Sequence, residues 1–260
     1  MTFEPLRISA RDNPLLQHIR RLAADPAAYR KQGLVWLEGD HLIGAALQRG
    51  LRLDDLVLTE QAWATRLDWR LWADSARRTV LLGEQLFRGL SALESPAPVG
   101  ALIALPESPA LLASAHSLVL DRVQDAGNVG SMLRSAAAFG VQQVLALKGT
   151  AALWSTKVLR AGMGAHFGLR LVEQLQPADL AALKVPMLAT DPHGGQVLGR
   201  SALPHPCAWI LGHEGQGVAT ELLKACQMRV RIEQPGGEES LNVAAAAAIC
   251  LYGSSLKHST

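Results

Sequence analysis

The chain has 260 residues, 49% of them hydrophobic and 18% charged, with 25 basic against 23 acidic side chains. That is enough apolar material for one large domain or two ordinary ones, and it excludes a disordered, collagen-like or linker-dominated protein. The net charge of +2 hides two basic stretches: residues 1–31 hold six basic and three acidic side chains, and residues 126–172 hold five basic and no acidic ones. A local polyanion-binding surface is one reading of these stretches, and ordinary solvated faces are the other.

The opening MTFEPLRISARDNP has no apolar core after a basic start, and the longest apolar run, Leu241 to Leu251, includes Asn242. That run falls short of the roughly 18 to 20 residues that span a bilayer. Cys207, Cys226 and Cys250 are odd in number and widely spaced, which predicts neither a disulfide framework nor a structural zinc site. The expected setting is cytoplasmic, with no membrane and no metal.

In chain order, residues 34–37, 54–58, 79–82 and 99–105 read as short buried strands, and 14–24, 40–49 and 84–90 as helices. A small α/β unit over 1–106 is therefore expected. PESPALLASAH follows, with no strong period and a single acidic residue, Glu107, and 107–116 reads as a linker. Beyond it, apolar runs recur at 117–121, 141–147, 184–191, 208–212 and 228–232 between helix-like segments, and an Ala-rich closing helix spans 241–256. Such alternation predicts a mainly parallel sheet covered by helices over 117–260.

Four of these strands run directly into polar or glycine-bearing turns, and ligands of open α/β sheets bind at the carboxyl ends of strands. In DRVQDAGNVGSMLRSAAAFG, Asn128 is positioned to cap a helix, and Arg134 lies one turn beyond Gly130. The alternative is an ordinary cap beside an exposed arginine. In WILGHEGQGV, glycines at 212, 215 and 217 surround His213, Glu214 and Gln216, which permits close backbone approach to a flat ligand. In RIEQPGGEESLNVAAAAA, Ser240 is the expected N-cap, with Leu241 and Asn242 in the first helical turn. The G-x-G-x-x-G spacing of a dinucleotide fold is missing, which disfavours an oxidoreductase.

NVGSMLR, LGHEGQG and I-x-x-P-x(4)-SLNVA, in this order, resemble the three motifs of the SpoU/TrmH-type RNA ribose 2′-O-methyltransferases of the SPOUT superfamily. KVLRAGMGAHFGLRL at 157–171 is similar to the segment that family places between its first two motifs. Asn13-Pro14 and LVWLEG at 34–39 resemble the family's ribosomal-protein-like substrate-binding domain. The resemblance implies an RNA substrate-binding domain over 1–106 and a SPOUT methyltransferase domain over 117–260 with a trefoil knot. It also implies a homodimer and S-adenosyl-L-methionine held by backbone groups at Gly212, Ile232 and Leu241.

By the same resemblance the activity is 2′-O-methylation of RNA, ribosomal ahead of transfer, and Arg134 is the residue implicated in activating the ribose hydroxyl. It would act either as a base in a perturbed site or as a cation clamping phosphate and alkoxide. Asn128 would orient Arg134 or the ribose, and Glu214 would position Arg134 or Asn128. Ser240 and Asn242 would contact substrate or fix the third loop. Arg160, Lys157 and Arg11 are candidates for RNA contact. A departure from the family pattern is Pro235, displaced from its usual place directly after the Ile. A non-catalytic RNA-binding or ribosome-assembly protein on the same fold is the alternative. With only two Tyr and four Phe, recognition is expected to rest on phosphate contacts and RNA shape.

Overall fold

The computed structural model describes residues 4–200, 202–236 and 241–256. The chain forms two compact units, Met1–Glu107 with Trp154–Phe167, and Ser108–Leu153 with Gly168–Thr260. In the first, the elements are β1 (Leu6–Ile8), α1 (Pro14–Ala24), α2 (Ala28–Gln32), β2 (Leu34–Glu38), α3 (Asp40–Gln48), β3 (Leu53–Thr59), α4 (Glu60–Thr65), α5 (Leu67–Arg70), β4 (Ala76–Leu82), α6 (Glu84–Arg88) and β5 (Val99–Ala104). Their sheet runs β1-β4-β3-β5-β2. β1, β4 and β3 are parallel, whereas β5 pairs antiparallel with β3 and β2. Leu56, Val57, Leu58, Leu82, Ala101 and Leu102 are fully buried, as expected of strands covered on both faces. Asn13 caps α1 through Leu15 N, with Pro14 opening the helix, the arrangement this dipeptide favours.

The second unit begins with β6 (Ser117–Leu120), α7 (Ala126–Ala138) and β7 (Gln143–Leu147). The chain then returns to the first unit for α8 (Thr156–Gly162), which packs on β2. At Gly164, just beyond α8, φ is +84° and a Cβ would lie 2.6 Å from the Cβ of Ala45, so only glycine fits. The second unit resumes with β8 (Arg170–Leu175), β9 (Met187–Thr190), β10 (Gln196–Val197), β11 (Ala208–Leu211), α9 (Thr220–Ala225), β12 (Met228–Arg231) and α10 (Val243–Ser255).

All seven strands of this unit are parallel, in the order β10-β12-β9-β11-β6-β7-β8. The mixed α/β, mainly parallel organisation is the one the sequence predicts. β8 and β10, which the apolar pattern did not reveal, are the two edges. Val119, Leu145, Val172, Ala189, Ala208 and Ile210 form one core face of the sheet with Leu180 and Leu222. Their strand neighbours alternate to the other face, where Trp209 Nε1 donates to Ser254 Oγ of α10 at 2.8 Å.

Residues 110–113 are anchored to this second unit. Gln143 accepts from Leu112 N at 2.9 Å and donates to Leu112 O at 2.7 Å, Arg170 Nε donates to Ala110 O at 2.8 Å, and Lys184 N to Ala113 O at 2.8 Å. Among the described residues no helix is long and apolar enough to cross a membrane. The three cysteines are free, and burial pushes the Cys207 and Cys250 thiols up to about 12.

Candidate active site

Because the second sheet is parallel, its strands all end at one edge, and β6 and β11 are neighbours there. The turn after β6 and the glycine loop after β11 are therefore brought side by side. Asp121, the first residue of that turn, is buried. Its Oδ1 accepts from Arg122 Nε at 2.8 Å, and its Oδ2 accepts from Arg122 Nη2 at 3.0 Å and from Ala219 N at 2.8 Å. Arg122 sits at φ +58° and donates from Nη1 to Gln216 Oε1 at 3.1 Å. This clasp ties the first motif to the second, and the sequence reading missed it. Its signal was an Asp-Arg pair ending a buried strand.

Glu214 makes the second tie. Its Oε1 accepts from Asp125 N and Asn128 Nδ2, each at 3.1 Å, and its Oε2 from Gln124 N at 3.3 Å. Burial pushes this carboxyl up, but hydrogen bonds from its own N–H, from Asn128 and from the Asp125 and Gln124 amides outweigh burial and hold it below its ordinary value. Asn128 Oδ1 in turn accepts from Asn242 Nδ2 at 2.9 Å. Glu214, Asn128 and Asn242, one from each motif, thus form a continuous hydrogen-bonded chain.

Two capping assignments change. Asp125, not Asn128, caps α7, accepting from Asn128 N at 2.7 Å. An Asp three residues before the Asn out-competes it because its carboxylate already reaches the free N–H groups, and Asn128 is then released to bridge the loops. Likewise Asn242 caps α10, its Oδ1 accepting from Ala244 N and Ala245 N at 2.9 and 3.2 Å. It is not in the first helical turn, and its amide nitrogen remains available for Asn128. Ser240 lies outside the described residues.

Arg134 is exposed on α7 and has no hydrogen-bond or ion-pair partner among the described residues. Glu214 engages Asn128 rather than Arg134. Gly212 follows β11 where a Cβ would lie 2.1 Å from Gly217 C and Val218 N, a crossing only glycine permits. The loop is closed by His213 N to Gly217 O at 3.1 Å and Gly217 N to His213 O at 2.8 Å. His213, to which the sequence assigned no role, accepts at Nδ1 from Gly215 N and Gln216 N at 3.0 and 3.3 Å.

Ile232 follows β12 and is half-buried, and Leu241 is 39% exposed just before α10. A glycine crossing after β11, with an apolar side chain after β12 and another before α10, fits a flat heteroaromatic group held by backbone atoms. Among the described residues no cluster of three His, Cys, Asp or Glu is arranged to hold a metal ion.

The three candidate RNA contacts lie in the first unit. Arg11 and Lys157 are exposed. Arg160 is 3.4 Å from Glu38 Oε2, and the other oxygen of Glu38 accepts from Ser91 Oγ, so Arg160 secures α8 to the end of β2.

The sequence pattern of the SpoU rRNA methylase family matches residues 115–252. The 23S rRNA (guanosine(2553)-2′-O)-methyltransferase RlmP of Bacillus subtilis is 32% identical, the match covering 83% of this chain and 86% of that protein. A solved RNA 2′-O ribose methyltransferase superposes with a TM-score of 0.79 at 29% identity, covering 96% of this chain and 98% of that one. An AdoMet-bound rRNA methyltransferase from Sinorhizobium meliloti shares the fold, with a TM-score of 0.85 at 22% identity over 98% of both chains. On the matched motifs and this full-length similarity, the chain belongs to the SpoU rRNA methylase family.

Proposed function

We propose that this protein transfers a methyl group from S-adenosyl-L-methionine to a ribose 2′-hydroxyl of ribosomal RNA. The observation that carries the reading is the Glu214–Asn128–Asn242 chain, which draws all three motifs to one edge of the parallel sheet. Membership of the family and the rRNA 2′-O-methyltransferases among its relatives support the same reaction and favour ribosomal over transfer RNA.

Backbone groups at Gly212, Ile232 and Leu241 would hold the adenine. When bound, the cofactor supplies an electrophilic methyl group. The chain's own task is to bring the hydroxyl to it and to stabilise the oxygen as its proton leaves. Arg134 is the residue we assign to this task. A guanidinium is a poor base, and an exposed one is suited to clamp the neighbouring phosphate and the forming alkoxide, so the cation reading of Arg134 is preferred to the base reading. Asn128, oriented by Glu214, then faces the ribose, and Asn242 and Ser240 shape the third loop.

Residues 1–106 are assigned to substrate binding, with Arg11 of that stretch and Lys157 and Arg160 of the segment 154–167 that folds with it contributing cations, and 117–260 apart from that segment to a knotted catalytic domain joined through 107–116. The exposed apolar side chains Ile249 and Tyr252 on α10, with Leu256 at its C-cap, support a homodimer, and a cytoplasmic location suits the substrate.

The test is calorimetric titration with S-adenosyl-L-methionine followed by radiolabelled methyl transfer to ribosomal RNA, for the wild type and Arg134→Ala. Both proteins are expected to bind the cofactor. Transfer by the variant is expected to fall by 100-fold or more, on the order of a lost electrostatic stabiliser. A well-folded wild type that binds no cofactor would leave the non-catalytic RNA-binding alternative.

A further inference from the structure

Within the first unit, a cleft of about 370 Å³ opens between α3 and the segment that follows α4, lined by Asp40, His41, Arg66, Asp68, Trp69 and Trp72. Nothing in the catalytic reading uses it. Its walls contain an ordered stack of planar groups. Trp69 and Trp72 lie with ring centroids 6.0 Å apart and planes 18° from parallel. On Trp69 rests the guanidinium of Arg66, its central carbon 3.7 Å from the ring centroid. Arg66 is fixed there by a two-pronged bond, Nε to Asp68 Oδ1 at 3.0 Å and Nη2 to Asp68 Oδ2 at 2.7 Å. Trp69 is buried, Trp72 is half-buried, and the Arg66 side chain remains 43% exposed. One member of this group is therefore a planar cation, oriented by a two-pronged bond and still open to solvent.

We infer that this cleft receives an unpaired nucleobase of single-stranded RNA, stacked on the Arg66–Trp69–Trp72 ladder, with Asp40 and Asp68 accepting from its exocyclic amino group. The inference rests on the proposed function in that it takes RNA to be what the protein meets.

Three observations select a base over other ligands. Phosphate is disfavoured, because the Arg66 fork already engages a carboxylate and the second carboxylate, Asp40, would repel an anion. An apolar peptide is disfavoured by the two carboxylates and the guanidinium within the lining. A base satisfies both halves of the site, since its π face matches an arginine plane or an indole and its amino group matches a carboxylate. Adenine, guanine and cytosine carry that amino group and uracil does not, so the cleft is selective against uridine. Arg70, exposed and lying 4.8 Å from the Trp63 ring centroid, adds a cation in the same segment for the RNA backbone.

The experiment measures fluorescence anisotropy of labelled, unstructured oligoribonucleotides, oligo(C) and oligo(U) of equal length, with the full-length protein, Arg66→Lys and Trp72→Ala. Arg66→Lys keeps the charge and sits on an exposed side chain, so it tests the planar stack even if Trp72→Ala unfolds.

The wild type is expected to prefer oligo(C), and each folded variant to lose about tenfold in oligo(C) affinity with an unchanged salt slope. Calorimetric cofactor binding should match the wild type. Equal affinity of the wild type and Arg66→Lys for oligo(C), equal wild-type affinity for the two oligomers, or no RNA binding by the wild type would each overturn the inference. Failure of methyl transfer or cofactor binding by the wild type counts against the proposed function alone, because the cleft is judged on RNA affinity.

Discussion

Asn128 is the residue on which the site turns, since it donates to Glu214 and accepts from Asn242. Its chemistry makes a sharp prediction. Asn128→Ala removes two hydrogen bonds at a solvent-accessible position, a loss of about 1 kcal/mol. Asn128→Asp keeps the acceptor toward Asn242 but sets a second carboxylate against Glu214 Oε1, 3.1 Å from the lost amide nitrogen. Repulsion at that distance makes the aspartate the more damaging change, so urea unfolding at neutral pH should rank wild type above Ala and Ala above Asp. The reverse order would mean that Glu214 does not face Asn128 as a carboxylate.

A second residue-scale prediction follows from Glu214 itself, whose folded pKa lies below its ordinary value of 4.5. A carboxyl depressed in the folded state stabilises above its unfolded pKa, and that stabilisation fades as pH falls through the folded value. The advantage of wild type over Glu214→Gln should thus be constant from pH 6 to 8 and vanish in acid. Because Glu214 is largely exposed, the difference should stay under about 1 kcal/mol. An advantage that grew on acidification would refute the assignment.

At the scale of elements, the loop after β11 is the least forgiving part of the second unit. Gly212→Ala places a methyl group 2.1 Å from the backbone of Gly217 and Val218, and neither can yield without opening the His213–Gly217 pair. The expected result is a protein whose circular dichroism is near that of the wild type but whose affinity for S-adenosyl-L-methionine, measured by calorimetry, falls at least tenfold. Wild-type affinity would show that the crossing is not part of the cofactor site.

The same loop shows what a sequence can reveal. Apolar runs located β6, β7, β9 and β11 because these strands lie inside a parallel sheet with both faces largely covered, and β12 was found by the alternation of MRVRI, in which only Val230 is buried. β8, written RLVEQL, and β10, with two residues, are edges where polar side chains are tolerated and the pattern dissolves. Helix caps failed for a different reason. Asp125 and Asn128 are both residue types that cap well, as are Ser240 and Asn242, and for the first pair only the tertiary partner of Asn128, Glu214, distinguishes the two. Glu214, Asn128 and Asn242, which the structure joins by hydrogen bonds, were each singled out in the sequence, but the Asp121–Arg122–Gln216 clasp was not. It depends on two strands becoming neighbours, which no local pattern encodes.

For the whole molecule, the closing helix carries the strongest constraint on assembly. α10 buries Ala247, Cys250, Leu251 and Ser254 on the side facing α7 and β11, while Ile249, Tyr252 and, at its C-cap, Leu256 stand 39%, 52% and 56% exposed. Phe139, the C-cap of α7, meets Tyr252 with ring centroids 5.7 Å apart, so the apolar surface continues from one helix to the end of the next. A stripe of this kind on a helix already packed along its other face is what an isologous contact between two copies requires, each helix supplying the surface the other needs. Sedimentation equilibrium of the wild type is therefore expected to give about twice the 27.8 kDa chain mass. Ile249→Asp, which adds a charge where the side chain is already partly solvated, should fold and sediment as a monomer. If the dimer is needed to complete the site, that monomer should also lose methyl transfer. A wild type that sediments as a monomer throughout the micromolar range would assign the α10 stripe to some other partner and leave the Glu214–Asn128–Asn242 chain to act within a single copy.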